Sequence, residues 1–477
     1  MTILDPTKAV EFVDSYWEND ALICLSEYIT VPCLSPDFDP AWSANGAIRQ
    51  AADLFADWAR RRPIGALAVE VVELSDRTPC VLIEIGSTST TDAPSVLAYG
   101  HLDKQPPLGE WHDGLDAFTP IRRGDRLFGR GAVDDGYAMF AAVGAIETLE
   151  QAGVAHGPVT VLIEASEESA SSDLDAYLDA YSERIGDPHL IVCLDSGGAS
   201  YERLWATSSL RGLVDGVLRV DVLTEAIHSG SGGGVVPSSF RVLRQLLDRI
   251  DDSASGDVIL AEAKVDIPAE RLTEINAAGA AGLDGTETLP VVPGLRLEGA
   301  DATTRIERNT WRAALEILGA EGLPPIKDAG NLLRSSTSVK VSLRIPPTAD
   351  AEAVAQAMKK ALTDDPPEGA RVSFTPGHAA AGWNAPVRAA WLERALGEAS
   401  RQYFGNSPMS YGVGGSIPFM ASLGRRFPSA QFLATGCLGP NSNAHGTDES
   451  LHIPAAKALT ACLAQLIGTF ADQGGVD

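Results

Sequence analysis

The sequence predicts an α/β protein: a mixed sheet flanked by helices, with a smaller α+β segment inserted into the chain. Three observations carry this. Short apolar runs at residues 95–99, 159–164 and 190–194 read as buried strands, with helical patterns between them. Each run ends in a loop rich in ionisable residues: Gly100-His101-Leu102-Asp103, Ala165-Ser166-Glu167-Glu168-Ser169 and Asp195-Ser196-Gly197-Gly198. That character stops near Thr207, gives way to alternating strands, and returns from Pro386. A chain of 477 residues exceeds what one simple core holds. The predicted division is 1–206 and 385–477 for the larger unit and 207–384 for the inserted one.

Residues 7–60 read as helical, with Val10, Val13, Trp17 and Leu22 at helical spacing, broken by Pro32 and Pro36. Val69–Leu74 and Val81–Ile85 follow as strands. Tyr137–Leu149 is a helix along Met139, Phe140, Val143, Ile146 and Leu149, and Asp173–Arg184 is another. In the insertion, Val214–Val222 is a strand and His228-Ser229-Gly230 opens a flexible glycine-rich loop. Phe240–Ile250 is a helix, and residues 251–335 carry helical patches around Trp311–Leu318. In Ser338–Ile345, Val339, Val341, Leu343 and Ile345 face one way and Ser338, Lys340, Ser342 and Arg344 the other, the pattern of a sheet with one solvent face. Ala351–Leu362 is a helix and Val372–Phe374 a strand. Val387–Phe404 and Pro418–Leu423 are helices, Gln431–Ala434 is a strand, and a helix runs from Pro454.

The formal net charge is −27, from 37 basic and 64 acidic residues, which argues against nucleic acid and anionic membranes as partners. Six scattered cysteines without a Cys-x-x-Cys pair suit a reducing compartment. The first residues lack the basic-then-apolar pattern of a signal peptide, and no apolar run approaches ~18 residues. The expected location is cytoplasmic.

The stretch Gly129-Arg130-Gly131-Ala132-Val133-Asp134-Asp135-Gly136 sets two aspartates between glycines before a helix. Read alone it is an acidic turn at a helix N-terminus. Collected with the loop residues, it completes a set of His101, Asp134, Glu168, Asp195 and His445. Two imidazoles and three carboxylates suit Zn²⁺ or a similar divalent ion. Five ligands exceed one tetrahedral site and suit two ions about 3.5–4 Å apart sharing a carboxylate. Glu167 remains beside a ligand, where a general base is needed. Spacing leaves the roles within the set open, including Asp134 against Asp135.

Gly100-His101-Leu102-Asp103 with Pro106, Gly129-Arg130-Gly131 leading into Asp134-Asp135-Gly136, Glu167-Glu168, Asp195-Ser196-Gly197 and Ala444-His445-Gly446 stand in the order and rough spacing of the M20 family of zinc peptidases. Within it the chain resembles the carnosinase and cytosolic non-specific dipeptidase branch, over nearly its whole length. The resemblance implies that His101 and Asp195 bind one zinc, Glu168 and His445 the other, and that Asp134 bridges them, joined to Asp135 by a cis peptide. It implies two Zn²⁺ per subunit, with Mn²⁺ or Co²⁺ as alternatives. Asp103 would fix the tautomer of His101. Glu167 would take a proton from the bridging water and deliver it to the leaving amine. The insertion would be a lid and dimerisation domain, giving a homodimer in which His228 reaches the partner's active site to stabilise the oxyanion. Arg344 would grip the substrate carboxylate, and His378 and Ser416 would contact substrate.

One departure stands out. The branch carries an Arg-Glu pair before Gly-Gly-Ser-Ile-Pro, and this chain has Gly412 and Val413 there. The acidic residue is placed to read a dipeptide's free amine. The expected function is therefore dinuclear metal-dependent cleavage of dipeptides or small peptides with a free carboxylate. The alternative is a deacylase acting on N-acyl amino acids or related amides, and more remotely a non-catalytic metal-binding protein.

Overall fold

The computed structural model describes residues 3–90, 92–415 and 417–471. A nine-stranded mixed sheet forms the body of the molecule. Its strands run in the order Leu67–Val72, Cys80–Ile85, Val159–Glu164, Val96–His101, Leu190–Cys193, Gln431–Ala434, Trp205–Leu210 and Trp383–Asn384, with Met409–Val413 also paired to Trp205–Leu210. The strands Val159–Glu164, Val96–His101, Leu190–Cys193 and Gln431–Ala434 pair in parallel.

Both faces of these central strands are covered, which explains their continuous apolar runs. Val96, Ala98, Val161, Ile163 and Val192 pack into one core with the helices Ala47–Arg60, Ala138–Ala152 and Ile453–Ala471. Leu97, Tyr99, Leu162, Ile191 and Cys193 pack into another with the helices Leu174–Ala180 and Pro418–Arg426. The helix Ile453–Ala471 is mostly apolar because about three-quarters of it is buried in the first core.

The chain leaves this sheet at Arg211 and re-enters it at Trp383. Between them, Ala314–Glu321, Ser336–Ile345, Gly212–Asp221 and Arg371–Ala380 form an antiparallel four-stranded sheet. Val339, Val341, Leu343 and Ile345 meet the helices Ser239–Leu247 and Ala351–Thr363 in a separate core. The other face is only partly open: Lys340 is exposed, but Ser338 and Ser342 are buried.

Residues 251–335 fold differently from their sequence pattern. The expected helical patch over Trp311–Leu318 is a helix ending at Trp311 and a strand from Ala314 to Glu321. Apart from Ile317, the strand Ala314–Glu321 is built of residues without a strong strand preference, such as Ala314, Glu316 and Gly319; pairing with Ser336–Ile345 imposes the extended form. The helices Ala269–Ala280 and Ala302–Trp311 pack against Met409–Val413 of the large sheet. Arg271 fixes them there, donating to Asn384 Oδ1 at 2.8 Å and to the Ala385 carbonyl at 2.7 Å, while Ser208 donates to Glu274 at 2.5 Å.

Candidate metal centre

The parallel strands set the site. His101 is the last residue of Val96–His101, and the loops after Val159–Glu164 and Leu190–Cys193 carry Glu167, Glu168 and Asp195. Ligands collect at such carboxyl ends because the chain there leaves the sheet with free backbone and side-chain groups. Asp134 arrives from the glycine-framed turn, whose Asp134–Asp135 peptide is cis. Glycine is required at Gly136, where a Cβ would stand 2.3 Å from the Tyr28 ring and 2.5 Å from the Gly131 carbonyl. His445 is presented by a left-handed backbone, φ 62°, in the loop before the last helix.

Asp134 lies between the two imidazoles. Its Oδ1 is 3.1 Å from His101 Nε2 and its Oδ2 is 3.0 Å from His445 Nε2. Asp195 Oδ2 lies 4.0 Å from His101 Nε2, and Glu168 Oε1 lies 3.2 Å from His445 Nε2. Three donor groups result among the described residues, His101/Asp134/Asp195, Asp134/Glu168/His445 and His101/Glu167/Glu168, each with ligand atoms within 4.8 Å of one another, and the first two share Asp134. A borderline divalent ion takes this nitrogen and oxygen mix, and one carboxylate common to two groups fits a dinuclear centre.

The charges agree. Burial would raise Asp134, but His101 and His445 hold it well below the usual carboxylate range. Burial would lower both histidines; the carboxylates beside them instead lift His101 well above its ordinary value and His445 to about 11. Burial and then Asp134 push Asp195 well up, and burial and then Asp195 do the same to Glu167.

Asp103 has two jobs. Its backbone carbonyl lies 3.1 Å from His101 Nδ1 and its carboxylate Oδ1 3.4 Å from the same atom, and the carboxylate oxygens accept the backbone N–H groups of Glu167 at 3.1 Å and Glu168 at 3.0 Å. It thus fixes the imidazole and the turn that carries both glutamates. Gln105 donates to Glu168 Oε2 at 2.7 Å. Asp135 is fully buried, and burial holds its carboxyl far above the usual range.

The sequence reading missed the support beneath Asp134. Arg130 and Glu449 form a completely buried ion pair at 2.6 Å. Glu449 Oε1 also accepts the N–H groups of Val133 at 3.2 Å and Asp134 at 3.3 Å, while Arg130 donates to the carbonyls of Pro106 and Gly446. This strut ties the Asp134 turn to the His445 loop. Arg130 lies inside a quoted motif, but Glu449 lies beyond the His445 motif and pattern cannot tell it from its neighbour Asp448. Glu449→Ala is expected to destabilise the protein by about 3–5 kcal/mol, because Arg130 is left buried without its counter-charge. In protein that still folds, metal affinity falls about 10–100-fold although every ligand is intact. Denaturant unfolding and metal titration measure the two effects.

The remaining predicted residues lie away from this cluster. Arg344 is half-buried in the small sheet opposite Leu213, and burial lowers its pKa. Arg211 lies at the crossing between the sheets; its Nε donates to the Gly414 carbonyl at 2.9 Å, and burial and then Arg344 bring it down to about 10. His378 is exposed, with its N–H on Asp215 Oδ1 at 2.6 Å. His228 is exposed and pairs with Leu332, its Nδ1 accepting from Gly230 N–H at 3.1 Å. Ser416 lies outside the described residues.

The model of peptidase family M20/M25/M40 matches residues 97–469. The cysteinylglycine-S-conjugate dipeptidase of Corynebacterium striatum is 28% identical over 384 residues, 77% of this chain and 80% of that protein. Human carnosine dipeptidase 1 superposes with a TM-score of 0.79 at 20% identity, over 98% of this chain and 99% of that one. An M20 family metallo-carboxypeptidase from Sulfolobus solfataricus gives 0.78 at 20% identity, over 95% and 99%.

Proposed function

The chain belongs to peptidase family M20/M25/M40, and from that premise we propose that it hydrolyses the amide bond of dipeptides and small peptides bearing a free carboxylate, using two divalent ions. The observation that carries the reading is the single carboxylate of Asp134 held between His101 and His445 at 3.1 and 3.0 Å. His101 and Asp195 would hold one ion, Glu168 and His445 the other, with Asp134 serving both. The ions would be zinc, with manganese or cobalt as alternatives. When bound they supply Lewis acidity toward the scissile carbonyl and a more acidic water.

The chain's own groups do the rest. Glu167 opens onto the cleft beside the ligands. It takes the proton of the attacking water and returns it to the leaving nitrogen. Asp103 positions Glu167 through the backbone and His101 through its ring. Arg344, with Arg211 beside it, receives the carboxylate of the leaving amino acid.

The segment 207–384 acts as lid and dimerisation unit. The outer strand Ala314–Glu321 carries exposed Ile317 and Leu318, which suits pairing of two chains. In that dimer His228 enters the site of the partner subunit, and His378 and Ser416 contact substrate. The six cysteines are free and buried, which suits a reducing cytoplasm.

The test is a dipeptide and its C-terminal amide, assayed with metal-reconstituted protein. The free acid is hydrolysed and the amide loses about 10²–10³-fold in kcat/KM; Arg344→Ala removes that difference by raising KM for the acid. An amide cleaved as fast as the acid rejects the carboxylate grip. No hydrolysis of either rejects the peptidase reading.

A further inference from the structure

A cleft of about 320 Å³ adjoins the ligand cluster. Its polar lining is Asp134, Glu167, Asp195, Ser196 and His445, and the Tyr411 ring with the apolar side chains of Val413, Ile417 and Leu438 covers much of the remainder. Val413 is held on a fixed strand. Val413 pairs with Leu210 and Tyr411 with Thr207, and the Tyr411 ring packs edge-on to Trp205 at 4.9 Å. Behind the strand, Gly412 is pressed against Ser209 and Thr310 so closely that a Cβ would stand 2.5 Å from the Ser209 hydroxyl.

A substrate amide offers this cleft either its acyl part or its carboxylate part. Neither Lys nor Arg is among the described residues lining it, so it offers no guanidinium or ammonium to receive a carboxylate. The acyl part therefore belongs there. Each carboxylate in the lining is already committed, Asp134 and Asp195 to the ions and Glu167 to the proton. No further acid among the described lining residues can meet an α-ammonium, which in an apolar pocket without a counter-charge is strongly disfavoured.

We propose that this cleft is the acyl-side pocket and that Val413, Tyr411, Ile417 and Leu438 make it select an uncharged, apolar acyl group over the α-ammonium of an unblocked dipeptide. The proposal rests on the amide-hydrolase reading above and ranks its substrates: amides whose acyl side lacks a free amine are cleaved faster than unblocked dipeptides, which remain substrates. A volume of about ten waters accommodates a branched acyl chain of several carbons.

Three substrates sharing glycine as the leaving group test it: leucylglycine, 4-methylpentanoylglycine (the same molecule without its amine) and acetylglycine. Metal-reconstituted full-length protein is expected to cleave 4-methylpentanoylglycine with at least about tenfold higher kcat/KM than leucylglycine. Val413→Glu supplies a counter-charge and shifts that ratio about tenfold toward leucylglycine, at unchanged metal content. Leu438→Ala, which adds no charge, lowers the preference for 4-methylpentanoylglycine over acetylglycine about tenfold. Leucylglycine cleaved as fast as its amine-free analogue, or ratios unmoved by both substitutions, overturns the inference and leaves the amide-hydrolase reading standing. Cleavage of none of the three overturns both.

Discussion

Glu167→Gln is expected to lower kcat by about 10²–10⁴ while the protein folds and binds metal as before. Glutamine keeps the size of the side chain and the backbone N–H that Asp103 accepts at 3.1 Å. What it loses is the ability to hold a proton between water attack and departure of the amine. Burial and the neighbouring Asp195 push the Glu167 carboxyl well above its ordinary value, so it is already a stronger base than an exposed glutamate. Steady-state kinetics with metal analysis decide the matter. Activity within tenfold of the parent protein would move the base to another group, and loss of metal would make Glu167 a ligand.

Asp134→Ala is expected to abolish the centre itself. Both ions depend on this carboxylate, so metal content falls below two per chain and activity drops at least about 10³-fold, the equivalent of several kcal/mol of lost charge stabilisation. Stability gives an independent readout. Metal at about a thousand times its dissociation constant stabilises the native state by about 4 kcal/mol, so the parent protein melts lower after chelation. The Asp134→Ala protein shows little response to metal or chelator. In the parent, metal binding must displace protons from His101 and His445, both held protonated by adjacent carboxylates. Affinity therefore weakens as pH falls and strengthens as it rises. An Asp134→Ala protein that keeps both ions and its activity would remove the shared carboxylate from the mechanism.

Much of the fold and the centre was legible in the chain because its signals are local. Buried strands such as Val96–His101 are apolar on both faces, and each ends where its ionisable loop begins. The alternation in Ser336–Ile345 likewise announced a separate sheet. Residues 251–335 were illegible because their structure is borrowed: Ala314–Glu321 is extended through pairing, and Ala269–Ala280 is anchored by Arg271 on a distant part of the chain. The Arg130–Glu449 strut was hidden for a related reason. Its partners are more than three hundred residues apart, and an acidic loop residue gives no sign of facing inward.

The sequence by itself determined the chemical inventory: two imidazoles, their carboxylates, a spare glutamate and an apolar residue at Val413. These follow from residue identity and from strand and turn patterns a few residues long. Only the tertiary structure decided which oxygen of Asp134 meets which histidine, that Asp103 holds both glutamates, and that Val413 lines the same cleft as Glu167. Those relations depend on distances of a few ångströms between segments far apart in the chain, and packing around the sheet sets them.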